Sequence, residues 1–282
     1  MSASLVLRRR LAAELRALRI AHRLSQDDVA RELEVSSNKI VRIENAQSTV
    51  STSDLKQLLL LFQVGTEDRD RLLDLGRDAR KRGGWWSAYT DLLPGPYVQL
   101  ESAAAEIRNY QPTLLPGLLQ TPGYAHATMQ SFGSALAAEE AERRVNARLQ
   151  RQARLTAEDP LTLHAIVDEV VLWRIAGQSQ IAEEQFRHLI EMATLDNIHL
   201  RVIPYAAGLY ASAGNSFAIL TFHDPIDPDV VMVENRAGER YFDAAHEVAG
   251  FHSDFRHIIN AALSEDTTLD LLRKALSGKM GS

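Results

Sequence analysis

The sequence predicts an all-α N-terminal domain of about five helices, followed by a larger α+β domain with a small, mostly antiparallel sheet. Residues 5–80 contain short helical periodicities and no strand-like run, whereas the clearest β-compatible runs begin only after about residue 160. Glycines at 83–84 and the Pro94-Gly95-Pro96 segment break the helical pattern between the two parts. Helices that precede a group of strands are typical of an α+β arrangement. We therefore expect one domain at residues 1–82 and a second at residues 83–282.

Apolar residues recur at helical spacing through the first 80 residues, and two serines stand where helices should begin. Ser25 and Ser36 are good N-caps, and Asp28 occupies the capping-box position behind Ser25. The predicted helices lie around Leu11–Leu18, at Gln26–Leu33, at Ser37–Glu44, from near Ser53, and at about Glu67–Arg80. Because residues 33–36 leave room only for a tight turn, the second and third helices should form a helix-turn-helix.

Polar side chains follow the predicted turn. Ser37, Asn38, Lys39 and Arg42 would project outward from the second helix of the pair, where such side chains can reach phosphates and base edges. The caps at Ser25 and Ser36 would aim helix N-termini, which favour anions, toward phosphates. A structural αα-corner with a solvated polar face is the alternative. The pattern favours double-stranded DNA as the partner, read by a homodimer on a two-fold operator.

The charge of the chain is divided unequally between the two parts. The formal net charge of −6 argues against a nucleic-acid partner at face value. However, residues 1–82 hold 16 Lys+Arg against 12 Asp+Glu, a net +4, while the remainder holds 15 against 25, a net −10. The N-terminal part alone could therefore bind a polyanion, although a segment of +4 is common and decides nothing by itself.

The string from Leu24 to Asn45 resembles the Xre-type helix-turn-helix of phage Cro and CI-like repressors, over about residues 8–75. The resemblance implies that Gln26 and Asn45 touch the DNA backbone and that Ser37, Asn38 and Arg42 face the bases. Lys39 lies beside them, within reach of a phosphate.

Two positions depart from that family's pattern. Glu34 stands in the turn where glycine is usual, and Ala46 stands where glycine commonly follows the Glu-Asn pair. A non-glycine residue with positive φ costs roughly 1 kcal/mol. We expect the turn to be slightly remodelled or its strain to be absorbed by packing.

The second part combines helices and short strands. Helices are predicted up to about Arg154, including one over Val98–Tyr110. Further helices are predicted at Ile181–Thr194, His246–Leu263 and Thr268–Leu276. The predicted strands are Leu161–Val167, Ile198–Ile203, Phe217–Phe222 and Val230–Glu234, with a hairpin turn at Arg236–Glu239. Such short strands leave an exposed sheet edge, to which a partner could add a strand.

Several strings of the second part resemble an actinobacterial group of Xre-type regulators described as antitoxin-like. They are Gly84-Trp85-Trp86, Leu100-Glu101, Pro116–Thr121, Asp168-Glu169, Arg201–Pro204 with Gly208, Phe217 with its strand, and Val233-Glu234. The resemblance implies a DNA-binding transcription regulator, such as a repressor, whose C-terminal domain has no established chemistry. It also implies a small protein partner encoded by an adjacent gene.

A small-molecule effector bound by the C-terminal domain is the alternative, with Trp85, Trp86 and Gln120 as candidate effector or partner residues. The other interpretation is that the two tryptophans are structural residues of the hydrophobic core. A third, weaker hypothesis is an adaptor protein that binds no DNA. The polar side chains Ser37, Asn38, Lys39 and Arg42 argue against it.

We expect neither an enzyme nor a cofactor or metal site. The sequence contains no His-Glu-x-x-His, no Gly-x-Ser-x-Gly, no phosphate loop and no dinucleotide fingerprint. The absence of cysteine excludes disulfides and thiolate sites and fits a cytoplasmic protein. No apolar run approaches a membrane span, and the N-terminal arginines precede no secretory apolar region, so no membrane partner is expected.

Overall fold

The structure is a computed structural model that describes residues 4–81, 83–93, 95–131, 137–210, 214–235 and 238–278. The chain forms two compact units. The first comprises the residues up to Ser87 together with Pro96–Ala103 and Asp224–Asp227, and the second comprises Ala88–Gly95, Ala104–His223 and the residues from Pro228 onward. The predicted domain division after residue 82 stays a prediction.

The first unit is helical, as predicted. Its helices are α1 (Ser4–Ala21), α2 (Gln26–Glu32), α3 (Ser37–Glu44), α4 (Thr52–Leu61), α5 (Thr66–Ala79) and α6 (Tyr97–Ala103). Helix α1 packs on α3 and α5, and α2 packs on α3. Their apolar stripes meet in a core centred on Leu15, Val29, Leu55, Leu59 and Leu72, which are all fully buried. Burial of one stripe from each short helix holds the bundle together.

Serine caps begin α2, α3 and α4. The capping box between Ser25 and Asp28 is formed, and the Ser36 hydroxyl accepts a hydrogen bond from the Lys39 amide at 3.3 Å. Helix α4 begins one residue earlier than Ser53, with Ser51 as its cap. The two predicted caps of the helix-turn-helix are therefore confirmed.

Non-glycine residues with positive φ follow four of the helices, at Arg23, Glu34, Ala46 and Gln63. Glu34 has φ 54° and Ala46 has φ 55°, so both positions where glycine was expected keep the left-handed conformation. The turn is thus not remodelled. Immediately after Glu34, the Val35 amide donates to the Ala30 carbonyl at 2.9 Å, which satisfies a carbonyl at the end of α2.

The second unit contains a six-stranded sheet in the order β3-β2-β1-β4-β5-β6. Its strands are β1 (Ala104–Gln111), β2 (Thr162–Asp168), β3 (Ile198–Ile203), β4 (Phe217–Phe222), β5 (Val230–Asn235) and β6 (Gly238–Phe242). The pairs β1–β2 and β2–β3 are parallel, while β1–β4, β4–β5 and β5–β6 are antiparallel. The α+β class is confirmed, but the sheet is mixed and larger than the small, mostly antiparallel sheet predicted. Residues 236 and 237 of the predicted hairpin turn lie outside the described residues.

The predicted helix over Val98–Tyr110 is wrong beyond Ala103, because the chain continues as the strand β1 in the middle of the sheet. Ile107 and Tyr110, on opposite faces of β1, are both fully buried. Strand pairing on both sides of β1 therefore overrides the helix predicted for these residues. With β1 in place, the two parallel pairs need long crossovers. These crossovers contain α7 (Pro122–Ser131), α8 (Ala138–Gln152), α9 (Glu169–Ala176) and α10 (Ser179–Met192).

Helices cover the sheet of the second unit. Helix α11 (Ala245–Ala261) packs on β3, β4 and β5, α12 (Glu265–Leu276) packs on β3, and α9 packs on β2. Phe255 and Ile258 of α11 contact a core that includes Phe217 and Ile219 of β4. The outer edge of β3 is bonded at Val202, whose carbonyl accepts from the Leu263 amide at 2.8 Å. Strand β6 forms the opposite edge of the sheet.

Candidate nucleic-acid interface

Helices α2 and α3 form the predicted helix-turn-helix. Val29 and Ala30 of α2 and Ile40 and Ile43 of α3 are buried in the common core, which fixes the rotation of α3 about its axis. The opposite face of α3 is therefore directed to solvent. The first turn of α3 carries no acidic residue, so its N-terminal amides and dipole present positive potential.

Three polar side chains on and just after α3 are exposed and free. Asn38, Arg42 and Asn45 make no side-chain hydrogen bond or ion pair within the part of the chain that the structure describes. Because they are spaced by four and three residues, they follow one helix face. An amide and a guanidinium presented in this way can form bidentate hydrogen bonds to base edges.

Two other predicted contact residues are engaged by carboxylates within the unit. The Ser37 hydroxyl donates to the Asp27 carboxylate, and the Lys39 ammonium lies 2.9 Å from the Asp54 carboxylate. Burial tends to raise the pKa of Asp54, but hydrogen bonds from Lys39 and Ser51 outweigh that effect and hold the pKa below its usual value. A phosphate would have to compete with Asp54 for Lys39.

The N-terminus of α2 differs from that of α3. Asp27 and Asp28 lie in its first turn, and the Asp28 carboxylate accepts hydrogen bonds from both the amide and the hydroxyl of Ser25, at 2.9 and 2.6 Å. These carboxylates already neutralise the dipole of α2. Of the two capped N-termini, the one at Ser36 is therefore the better place for a phosphate, and Ser25 is a structural cap in this structure.

A buried ion pair joins the three helices around the site. The Arg19 guanidinium of α1 donates to both oxygens of the Glu44 carboxylate of α3, at 2.6 and 2.9 Å, and to the Leu24 carbonyl at 2.8 Å. Gln26 of α2 donates from Nε2 to Glu44 Oε2 at 2.8 Å. The hydrogen bonds to Glu44 raise the pKa of Arg19. Glu44 thus links α1 and α2 to α3, and it holds the Gln26 amide in a hydrogen bond within the unit.

The tryptophan pair belongs to the first unit. Trp85 and Trp86 meet edge to face, with 6.1 Å between ring centroids, and the Trp86 ring lies against Gly84 so closely that a Cβ there would clash. Trp86 lines a cleft that also includes Arg42. Both tryptophans are only partly buried, and Trp86 shares the cleft with Arg42 of α3.

Gln120 belongs to the second unit, where its side chain is buried and satisfied. Its amide nitrogen donates to the Leu115 carbonyl at 2.7 Å, and its oxygen accepts from Arg148 of α8. These bonds tie the loop after β1 to α8. The predicted grouping of Gln120 with the tryptophans as effector or partner residues stays a prediction.

Several residues of the site cannot be recognised from the sequence alone. Glu44 lies inside the string that carried the family resemblance, but its ion pair with Arg19 depends on a contact 25 residues away. Asp27 accepts a hydrogen bond from Ser37, and Asp54 forms an ion pair with Lys39. Helical periodicity does not reveal these tertiary contacts. The sequence carries no local signal for these two contacts, because each joins residues of different helices that are 10 or more positions apart.

Comparisons with protein families identify both parts of the chain. Residues 10–72 match a family described as a helix-turn-helix domain, and residues 95–274 match one described as a domain of unknown function, DUF5753. A comparison with curated proteins finds no match. No helix among the described residues is long and apolar enough to cross a membrane. Because the second match covers more than half of the chain, the chain belongs to the DUF5753 family, and it carries a helix-turn-helix domain in front of that domain.

Proposed function

We propose that the protein is a sequence-specific, DNA-binding transcription regulator of the Xre type. The observation that carries the proposal is the solvent face of α3, on which Asn38 and Arg42 have no partner among the described residues. The helix-turn-helix match over residues 10–72 supports the same function. In such domains the second helix enters the major groove and its first residues contact base edges.

Each residue of this face has a definite role in the proposed complex. The Asn38 amide contacts adenine and the Arg42 guanidinium contacts guanine, each contributing about 1–3 kcal/mol of discrimination. Gln26, Asn45 and the N-terminus of α3 contact the DNA backbone. Since the first 82 residues carry a net charge of only +4, one copy would bind weakly. We therefore propose a homodimer that occupies a two-fold operator and acts as a repressor.

Fluorescence anisotropy with the DNA upstream of the protein's own gene tests this function. The wild type should bind that duplex more tightly than a shuffled duplex of equal composition. Asn38→Ala and Arg42→Ala should each reduce the preference by roughly 5- to 150-fold. Arg16→Ala removes an exposed charge from α1 and is the matched control, which should keep the preference. Equal binding of both duplexes by the wild type would contradict the proposal.

The proposed role of the second unit is to bind a small protein encoded beside this gene, as in antitoxin-like regulators. A free sheet edge supports it, because β6 pairs with β5 and with no other strand of the described residues. A strand added there would gain main-chain hydrogen bonds. Hydrogen exchange with the product of the neighbouring gene should show new protection over Gly238–Phe242. Protection confined to helices would refute this docking mode.

A further inference from the structure

A cleft of about 420 Å³ lies within the first unit, beside the recognition helix. It is bounded by α1, by the end of α3 and the segment after it, and by the chain that follows α5. Its volume falls within the range of small-ligand sites, about 300–1,000 Å³. However, its lining is mostly polar, which is unlike that of a site for an apolar ligand.

Among the described residues of the lining, the charged ones are all cations. They are Arg8, Arg42, Arg80 and Lys81, and no carboxylate stands among these described residues. Elsewhere in this unit, basic side chains are regularly paired with acids, as in the bond between Arg71 and Glu14 at 2.6 Å. Four cations around one concavity whose described lining holds no carboxylate produce a positive potential.

Arg8 lacks a counter-ion in the described structure. Its Nε is buried and has no hydrogen-bond partner, and burial lowers the pKa of its guanidinium. A buried, unsatisfied charged donor is costly unless a ligand accepts from it. Because a guanidinium stays protonated at neutral pH, Arg8 remains a cation whose buried Nε–H has no acceptor among the described residues.

The other cations are held in place for different reasons. Arg80 donates from Nη1 to the Val50 carbonyl at 3.1 Å, which holds its guanidinium against the segment after α3. Lys81 lies 2.8 Å from Asp78, a residue outside the lining. Arg42 has no partner in the described ranges, and it is also the proposed base-reading residue. Arg8 and Arg42 are thus the two cations of the cleft without a protein acceptor.

We propose that this cleft binds a phosphate group. Planar guanidinium groups match the oxygens of a phosphate, and several of them around one concavity suit an anion of more than one charge. Two sources can supply this chemistry, namely a free phosphorylated small molecule and a backbone phosphate of bound DNA. The DNA source rests on the proposed function, whereas the small-molecule source does not. In either case Trp86 reports occupancy, since its ring lies in the wall of the cleft.

The first arm of the test titrates the full-length protein with sodium pyrophosphate and follows tryptophan fluorescence at constant ionic strength. Saturable quenching that disappears in Trp86→Phe identifies a free anion in the cleft. Arg8→Gln keeps most of the aliphatic stem and should weaken that binding by at least fivefold. Arg16→Gln makes the same change at an exposed position of α1 outside the lining, and should leave it unaltered.

The second arm measures the salt dependence of DNA binding for the same variants. Loss of one phosphate contact lowers the slope of log K against log salt by about 0.9. Arg8→Gln should show that loss and Arg16→Gln should not. A lowered slope without a response to pyrophosphate assigns the cleft to the DNA backbone.

The proposal is overturned if Arg8→Gln matches Arg16→Gln in both arms, or if wild-type protein gives neither response. If wild-type protein binds no duplex, the proposed function fails and the pyrophosphate arm alone decides. Thermal melting of each variant confirms that it is folded.

Discussion

Removal of the Arg19 side chain should destabilise the first unit more than removal of any exposed arginine. The Glu44 side chain is 4% exposed and that of Arg19 is 12% exposed, so the pair is almost completely withdrawn from water. In Arg19→Ala, Glu44 keeps the hydrogen bond from Gln26 but loses both charge-assisted bonds, and the Leu24 carbonyl loses its donor. The variant therefore leaves a buried carboxylate without a cation.

The expected loss of stability follows from that geometry. Removing one partner of a buried ion pair costs about 3–5 kcal/mol, because the remaining charge cannot recover its hydration. For a domain of this size, that loss lowers the melting temperature by roughly 12 °C or more. Arg16→Ala, an exposed change on the same helix, should stay within about 0.5 kcal/mol of wild type.

Urea unfolding combined with hydrogen exchange of the α2 and α3 amides measures this loss in the correct unit. Exchange is needed because a chain of two units does not unfold in one transition. The double variant Arg19→Met/Glu44→Leu should recover much of the stability, since apolar replacements remove both charges together. If Arg19→Ala were as stable as Arg16→Ala, or if the double variant were no better than the single one, the reasoning would be refuted.

Four further substitutions and one acid titration have definite expected outcomes. Glu34→Gly and Ala46→Gly should each stabilise the first unit by about 0.5–1 kcal/mol in urea unfolding, because relief of a left-handed residue exceeds the entropic cost of glycine; a loss of stability would contradict the left-handed geometry. Asp54→Asn should free Lys39 and steepen the salt dependence of DNA binding, and an unchanged slope would place Lys39 away from phosphate. Since the pKa of Asp54 is lowered on folding, the pair with Lys39 should contribute fully above about pH 4 and lose its contribution as the pH falls further, as acid titration of stability can show. Gln120→Ala should destabilise the second unit by about 1–3 kcal/mol, measured by exchange of its amides, because the buried Leu115 carbonyl loses its donor and the half-buried Arg148 guanidinium loses one acceptor.

The helix-turn-helix could be predicted in detail because its signals are local. Ser25 and Ser36 cap the helices that follow them, and Asp28 closes the capping box three residues later. Helix α3 has the predicted bounds, Ser37–Glu44. Glu34 and Ala46, which stand where the resembling family has glycine, also have the left-handed conformation. Each of these features depends on neighbours within a few residues, which the sequence displays directly.

The sheet was predicted less well because its centre depends on distant pairing. The strand β1 pairs with β2 across more than 50 residues and with β4 across more than 100. Glu106 and Arg108 of β1 are two residues apart, so they share one face of the strand. Because the sequence predicts a helix over the residues of β1, the parallel arrangement does not follow from it, although the helix predicted at Ile181–Thr194 points to a crossover.

The site could be predicted in position but not in electrostatics. Sequence placed Asn38 and Arg42 on the outer face of α3, where the structure has them exposed. It did not reveal the carboxylates that occupy Ser37 and Lys39, or the cleft that joins Arg8 to Arg42. These arrangements bring together residues that are separated by 10 to 34 positions in the chain and belong to different helices. Only tertiary packing determines them.

Selection of binding sites from a random DNA pool tests the central claim most directly. Wild-type protein should enrich a two-fold sequence, and Arg42→Ala should lose the preference for guanine at one position of each half-site while the other positions stay unchanged. Arg16→Ala should enrich the wild-type sequence. If Arg42→Ala enriched that same sequence at every position, or if the wild type enriched none, α3 would not be the helix that reads DNA.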